Sequence, residues 1–348
     1  MATSPKGGVH YPRSLGEVQA WFRTDEDCLD YLDWLRWPGG CPKCGQAGAW
    51  GLADRRYECR ECHERRSPTA GTIFDKTRTP LTVWFMACWL FASQKDGVSA
   101  LSLKRLLEIG SYQTAWAMLH RLRSVLVRPG RERLRGVVEV DETYVGGEEP
   151  GLTGGRAKGK KVLVGVAVER EEPKGFGRCR MAPLPDASAR VLRAFLLDNV
   201  EPGAKVITDG WPSYPPATKD LYEHQPLKGA SGVDASKLLP GVHKVASLAK
   251  RWLLGTHQGA VDEPHLPAYL NEFVFRFNRS GSRSRGLVFY RVVELAVAHD
   301  PVRYKDLVAN PQPSRRPQAP PRKRGHPPTL DRLPAKRPWR HASPQHSG

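Results

Sequence analysis

Val137-Val138-Glu139-Val140-Asp141 runs directly into Glu142-Thr143-Tyr144-Val145-Gly146-Gly147. The valines read as a short strand over 137–141, with an aspartate at its edge and a glycine turn close behind. A second run, Val206-Ile207-Thr208-Asp209, ends the same way before Gly210-Trp211-Pro212. Such an ending puts a carboxylate where a sheet opens to solvent. Two endings side by side can hold a divalent metal. Between them lie strand candidates at 161–168 and 177–182 and a helix at 187–199, and the second aspartate closes a strand at 205–208. Three strands, a helix and a fourth strand make an α/β pattern.

The charge balance suggests what such a metal would act on. Lys and Arg number 54 against 36 acids among 348 residues, a net charge of +18. That excess favours a polyanion, nucleic acid before an anionic membrane surface. Metal in so basic a chain points to phosphodiester chemistry. No apolar run approaches the ~20 residues that span a bilayer. Met1-Ala2-Thr3-Ser4-Pro5-Lys6 has no apolar signal region, so the expected location is cytoplasmic and nucleoid-associated. The length suffices for two or three domains.

Upstream, residues 15–70 read as a helix followed by a compact polar ribbon. Val18, Trp21, Phe22, Cys28, Leu29, Leu32 and Leu35 recur at helical spacing. Cys41-Pro42-Lys43-Cys44 and Cys59-Arg60-Glu61-Cys62 are two CxxC knuckles whose thiolates can point at one ion. Four sulfurs select tetrahedral zinc, and a closed set of ligands makes the ion structural. His63 reads as a surface neighbour, and Cys28, Cys88 and Cys179 as core thiols. Arg55, Arg56, Arg60, Arg65 and Arg66 make the ribbon a candidate DNA contact, or are solvated charges. Residues 78–128 are helical throughout. Helix 100–108, a turn at Ile109-Gly110-Ser111 and helix 112–125 give a helix-turn-helix arrangement, with Arg121 and Arg123 as candidate DNA-binding residues.

Downstream, helices at 243–254, 266–277 and 289–299 close a catalytic domain expected over 134–300. The segment 310–348 has ten prolines and nine Lys or Arg against one Asp. It is expected to be a disordered basic tail.

The order of these parts resembles the transposases of the IS1595 group, in which a zinc ribbon precedes an ISXO2-like catalytic domain. The residues carrying the likeness are Cys41–Gly45, Thr72-Ile73-Phe74, the helical pair at 98–123 and Val138–Gly147. It continues through Thr208–Trp211, Lys250–His257 and Tyr269–Arg279. The resemblance implies a ribonuclease-H-like fold, a mixed sheet with flanking helices, and DDE-type DNA strand transfer at element ends. Asp141 and Asp209 then match the first two acids, which hold catalytic Mg²⁺ or Mn²⁺. Lys250 matches the family's basic follower and, with Arg251, would contact DNA phosphates. The implied partners are double-stranded DNA, both terminal inverted repeats and target, and further copies of the chain.

A DDE enzyme expects a helical Glu some 35 residues after the second Asp. This chain has no Glu between Glu223 and Glu263. Seven residues before Lys250, two helical turns and the same face, stands His243. It is a third metal ligand, a phosphate-binding or proton-carrying group, or a helix-start residue without catalytic weight. Glu139 and Glu142 are weaker candidates: Glu142 faces away from Asp141, and Glu139 shares its face but lies deeper. His257, Arg276, Asn278 and Arg279 are phosphate candidates or helix-surface polar groups. Competing with an active transposase are a catalytically decayed, transposase-derived DNA-binding protein and an RNA-processing nuclease of the same fold.

Overall fold

The computed structural model describes residues 4–128, 130–146, 161–171, 173, 175–227, 238–259 and 261–309. The tail expected at 310–348 lies outside them. The described residues form two compact units, one of 4–128 with 282–309 and one of 130–281.

The first unit opens with helices Leu15–Trp21 (α1) and Asp25–Arg36 (α2). A capping box starts α2: Thr24 accepts the Asp27 N–H while Asp27 accepts the Thr24 N–H. Asp25, Glu26 and Asp27 add the negative charge a helix N-terminus favours. The ribbon follows as a three-stranded antiparallel sheet of Ala49–Gly51 (β1), Tyr57–Cys59 (β2) and Arg65–Arg66 (β3). It is fastened to α2 by a buried Asp33–Arg66 pair with two bonds of 2.7 and 2.8 Å. Arg36 adds bonds to the carbonyls of Ser67, Pro68 and Ala70. Helices Leu81–Ser93 (α3), Ala100–Leu106 (α4) and Tyr112–Ser124 (α5) come next. Ser99 and Ser111 cap α4 and α5. The left-handed residue that ends α4 is Glu108 (φ 50°), not Gly110.

Residues 285–298, expected within the catalytic domain, pack elsewhere. Arg285–Ala298 (α10, after α6–α9 below) lies on α3, with Phe289 against Phe85 and Trp89. Gly286 sits so close to the Pro12 carbonyl that no side chain fits there. A short helix, Tyr304–Ala309 (α11), ends the described chain.

The second unit is built on a five-stranded mixed sheet. Its strands are Val137–Val145 (β4), Val162–Arg170 (β5), Phe176–Pro183 (β6), Lys205–Thr208 (β7) and Glu223–Pro226 (β8). Their spatial order is β6-β5-β4-β7-β8; β5 runs antiparallel to both neighbours, while β4, β7 and β8 are parallel. Alternation along the central strands supplies a core on each face. Val138, Val140, Leu163, Ala167 and Val206 pack with helices Ala189–Asn199 (α6) and Tyr214–Thr218 (α7). On the other face Val164, Val166, Val168 and Ile207 pack with Pro240–His257 (α8) and Leu266–Phe277 (α9).

β4 does not end at Asp141; it continues to Val145, paired with β5 throughout, with Asp141 opposite Val166. Thr143, Tyr144 and Val145 are good strand formers, and β5 supplies their partners. What stops near Asp141 is the pairing on the other side of β4.

Candidate active site and metal ribbon

Pairing between β4 and β7 runs Val137↔Lys205, Val138↔Val206 and Glu139↔Ile207, then ends. The same register carried two places further sets Asp141 abreast of Asp209. Both aspartates therefore lie two places beyond the last paired residues, at the point where β4 and β7 separate. Asp209 is exposed, and its Oδ1 accepts the Trp211 N–H at 3.0 Å, a turn completed by Gly210 at φ 83°. Asp141 is half-buried, and its Oδ1 accepts the Glu142 N–H at 2.7 Å.

Tyr214, at the start of α7, marks the same place from the opposite face. It is fully buried and donates its hydroxyl to Glu142 Oε1 at 2.7 Å. Burial, then the charges of Glu142, Asp141 and Asp209, hold its phenol well above the ordinary tyrosine range. The tyrosine therefore senses all three carboxylates. The sequence offered a signal for it, a β-forming aromatic three places after Trp211, but the following Pro215-Pro216 hid the helix.

Helix α8 begins three residues before His243, so His243 lies inside the first turn rather than at its edge. The imidazole is half-buried and close enough to stabilise the Glu139 carboxylate electrostatically. Glu139 is wholly buried, its Oε2 accepting N–H groups of Gly241 and Val242. Burial nevertheless raises its pKa, against those bonds and the charges of Arg170 and His243. Two turns along α8, partial burial and nearby Lys161 pull the Lys250 ammonium below its ordinary pKa. Arg251 is exposed.

In the ribbon, the Cys41–Cys62 and Cys44–Cys59 sulfurs lie 3.5 and 3.6 Å apart, and all four sulfurs fall within 4.8 Å. Tetrahedral zinc with bonds near 2.3 Å needs sulfurs about 3.8 Å apart, so the cluster fits the ion. Burial opposes ionisation of Cys41, but the N–H groups of Cys44 and Lys43 prevail and bring it to about 6. Among the described residues, this is the only group of three or more ligand side chains close enough to share one ion.

The ISXO2-like transposase domain matches residues 133–278, and the transposase zinc-ribbon domain matches residues 23–65. Both matches are to domains of the IS1595 transposase group. A relative from Halobacterium salinarum, described as an uncharacterized protein in transposable element ISH50, is 27% identical over 278 residues. The alignment covers 73% of this chain and 91% of that protein.

Within the transposase domain, several residues singled out for phosphate contact are engaged internally. Asn278 bonds both the N–H and the carbonyl of Cys179, closing the free edge of β6. Arg276 pairs with buried Glu272, and Arg279 lies over the Phe275 ring. His257 packs edge-on between Trp252 and Tyr269. In the helices after the ribbon, Arg123 is 1% exposed, and Arg121 is half-buried, donating Nε to the Val302 carbonyl. Neither guanidinium faces outward as a DNA contact would require. The outward groups of α4 and α5 include Arg105, Tyr112 and Gln113.

Of the ribbon's five arginines, four are paired with acids: Arg55 with Asp25, Arg56 with Asp54, Arg65 with Glu58 and Arg66 with Asp33. Arg60 instead leans toward the exposed Trp50 ring, which also stacks on His63. No helix of the described residues is long and apolar enough to cross a membrane.

Proposed function

We propose that the chain catalyses metal-dependent DNA strand cleavage and strand transfer at the ends of an insertion sequence, on a ribonuclease-H-like domain. The observation that carries this is the β4–β7 register, which, continued two places beyond its last pair, would bring Asp141 level with Asp209. The sheet order supports the fold, with its single antiparallel second strand among four parallel ones. On this reading the two aspartates, both within the matched domain, serve as the metal-holding acids.

The donor set suits the group this chemistry needs. Two hard carboxylate oxygens fit Mg²⁺ or Mn²⁺, and an imidazole at His243 would shift the preference toward Mn²⁺. Bound there, such ions supply activation of an attacking hydroxyl and stabilisation of the leaving 3′-oxygen. The chain's own contributions are positional. Asp141 and Asp209 fix the reacting phosphate's place at the sheet opening. Lys250 and Arg251 offer cations to the adjacent phosphates. Tyr214 holds Glu142 on the far face, away from the pair. His243 either completes the ligand set or binds the scissile phosphate.

The zinc ribbon is structural, and with α4 and α5 as a helix-turn-helix it would bind terminal repeats. Residues near the N-terminus of the second helix make base contacts in such modules, so Tyr112 and Gln113 replace Arg121 and Arg123 as candidates. Joining two ends calls for two active sites, hence a homo-oligomer on DNA, associated with the nucleoid.

The test is strand transfer on a substrate carrying the element's own ends, with Mg²⁺ or Mn²⁺. Asp141→Ala and Asp209→Ala each remove joining, while exchange of exposed Asp262 does not. Joining that survives both changes overturns the reading. One observation favours a noncatalytic alternative: α8 contributes no carboxylate at all. Specific end binding without nicking in either ion would support that decayed, DNA-binding form.

A further inference from the structure

Helix α8 starts without a cap of its own. Leu239 occupies the cap position and no side chain there bonds the first turn. The early N–H groups of a helix need acceptors from somewhere. They find one 102 residues back in the chain, where Glu139 Oε2 accepts Gly241 N–H at 2.7 Å. The same oxygen accepts Val242 N–H at 3.1 Å. A negative group at this end also suits the helix dipole. Arg170 Nε stands 3.5 Å from the other carboxylate oxygen, and Glu139 itself is fully buried.

The fit at this joint is close. A Cβ on Gly241 would lie 2.7 Å from the Phe176 ring and 2.9 Å from Glu139 Oε2. Glycine therefore permits an approach that another residue would push back. Glu139 and Asp141 share a face of β4, one pleat apart. Two residues beyond Gly241 comes His243, and seven beyond that Lys250.

We infer that Glu139 is a positioning residue, the cap that fixes the start of α8 and thereby sets His243 and Lys250 against Asp141 and Asp209. This rests on the strand-transfer reading for its functional half. One strand then does two jobs: Asp141 serves the reaction, and Glu139 clamps the helix that carries the third position. The E-x-D spacing is the sequence form of that arrangement.

The experiment uses the full chain with zinc bound. Strand transfer, specific end binding and amide hydrogen exchange are measured for Glu139→Gln, Glu139→Ala and Gly241→Ala. Each is made with His243 present and with His243→Ala. Gln keeps an acceptor oxygen, so Glu139→Gln lowers joining roughly tenfold or less. Glu139→Ala and Gly241→Ala let the helix shift and lower it by about a hundredfold, the effect of a misplacement near 1 Å. End binding stays at the wild-type level. The losses shrink sharply in the His243→Ala background, because residues acting as a unit are not additive. A merely structural role would give the same loss in both backgrounds.

Amide exchange reads the clamp without any activity. Gly241 and Val242 are protected in the wild type and exchange quickly in Glu139→Ala. Unchanged protection overturns the inference. So does a joining loss that persists in full without His243, or His243→Ala joining at the wild-type rate. A wild-type chain that joins no ends while its amide protection depends on Glu139 sinks the strand-transfer reading and leaves the clamp standing.

Discussion

Four cysteines meet because each CxxC knuckle brings two sulfurs together by itself, leaving only the loop 45–58 to close. Asp141 and Asp209 meet by a different route. They come from strands separated by two more strands and a helix, and only the β4–β7 register, extended beyond its last pair, would bring them level. The first site is local geometry written as spacing, and the second is tertiary geometry written as register. The ribbon should therefore fail as a folding unit when its ion goes, whereas the aspartate site should lose chemistry and keep its fold.

Zinc removal gives the largest expected effect. Structural zinc in small ribbons contributes about 10–16 kcal/mol at neutral pH, more than a ribbon of three short strands can replace. A chelator, or Cys41→Ser, abolishes ribbon structure and specific end binding, while the sheet unit keeps its circular-dichroism signal. Cys28→Ser, Cys88→Ser and Cys179→Ser leave one zinc per chain, since those buried thiols lie outside the cluster. Zinc loss from any of these three would break the contrast.

Next comes the aspartate pair. Asp141→Ala or Asp209→Ala lowers joining by about 10³-fold or more without lowering the melting temperature, as the fold does not depend on either. A matching fall in stability would show that these acids are structural turns instead.

A smaller effect sharpens the local side of the contrast. Asp33 and Arg66 form a pair 3% and 7% exposed, tying the ribbon to α2. Asp33→Ala strands a buried guanidinium and costs about 3–5 kcal/mol in that unit, read by denaturant melts. A shift under ~1 kcal/mol would show that the ribbon stands without α2.

Smallest is a pH effect in the sheet unit. Glu169 is half-buried; burial pushes its pKa up, but the Arg178 guanidinium and the N–H groups of Arg135 and Arg178 together bring it below the ordinary value. A depressed carboxyl adds stability that is present above its unfolded pKa, about 4.3, and lost as pH falls through the lower folded value. Glu169→Gln therefore flattens the acid side of the stability curve and leaves its slope near pH 7 unchanged. An unaltered acid limb refutes the assignment.

The same contrast explains what could be read from the chain. The knuckles, the α/β alternation and the helices from 81 onward were legible, because periodicity and short spacing survive in one dimension. Which partner buries a helix was not: α10 shows an apolar face, but nothing in its period says that α3 receives it rather than the sheet. β8 is not legible because Glu223-His224-Gln225-Pro226 does not alternate; it is an edge strand whose ladder partner is β7. Gly146-Gly147 after Asp141 suggests a strand end, while the strand runs on to Val145 where β5 supports it. Arg121 and Arg123 are DNA-contact candidates by their place on the second helix of a helix-turn-helix, but helical period alone does not show that Arg123 is buried and Arg121 bonded to the Val302 carbonyl. Glu139 carried a signal that went unused: a charge inside an apolar strand must find partners, and these were the N–H groups of α8.

The most direct test of the aspartate pair is anomalous density from crystals of the full chain soaked in Mn²⁺. The register predicts a peak at ligand distance from both Asp141 and Asp209, with His243 on the same side. A peak touching neither aspartate, or carboxylates held too far apart to share an ion, would contradict it.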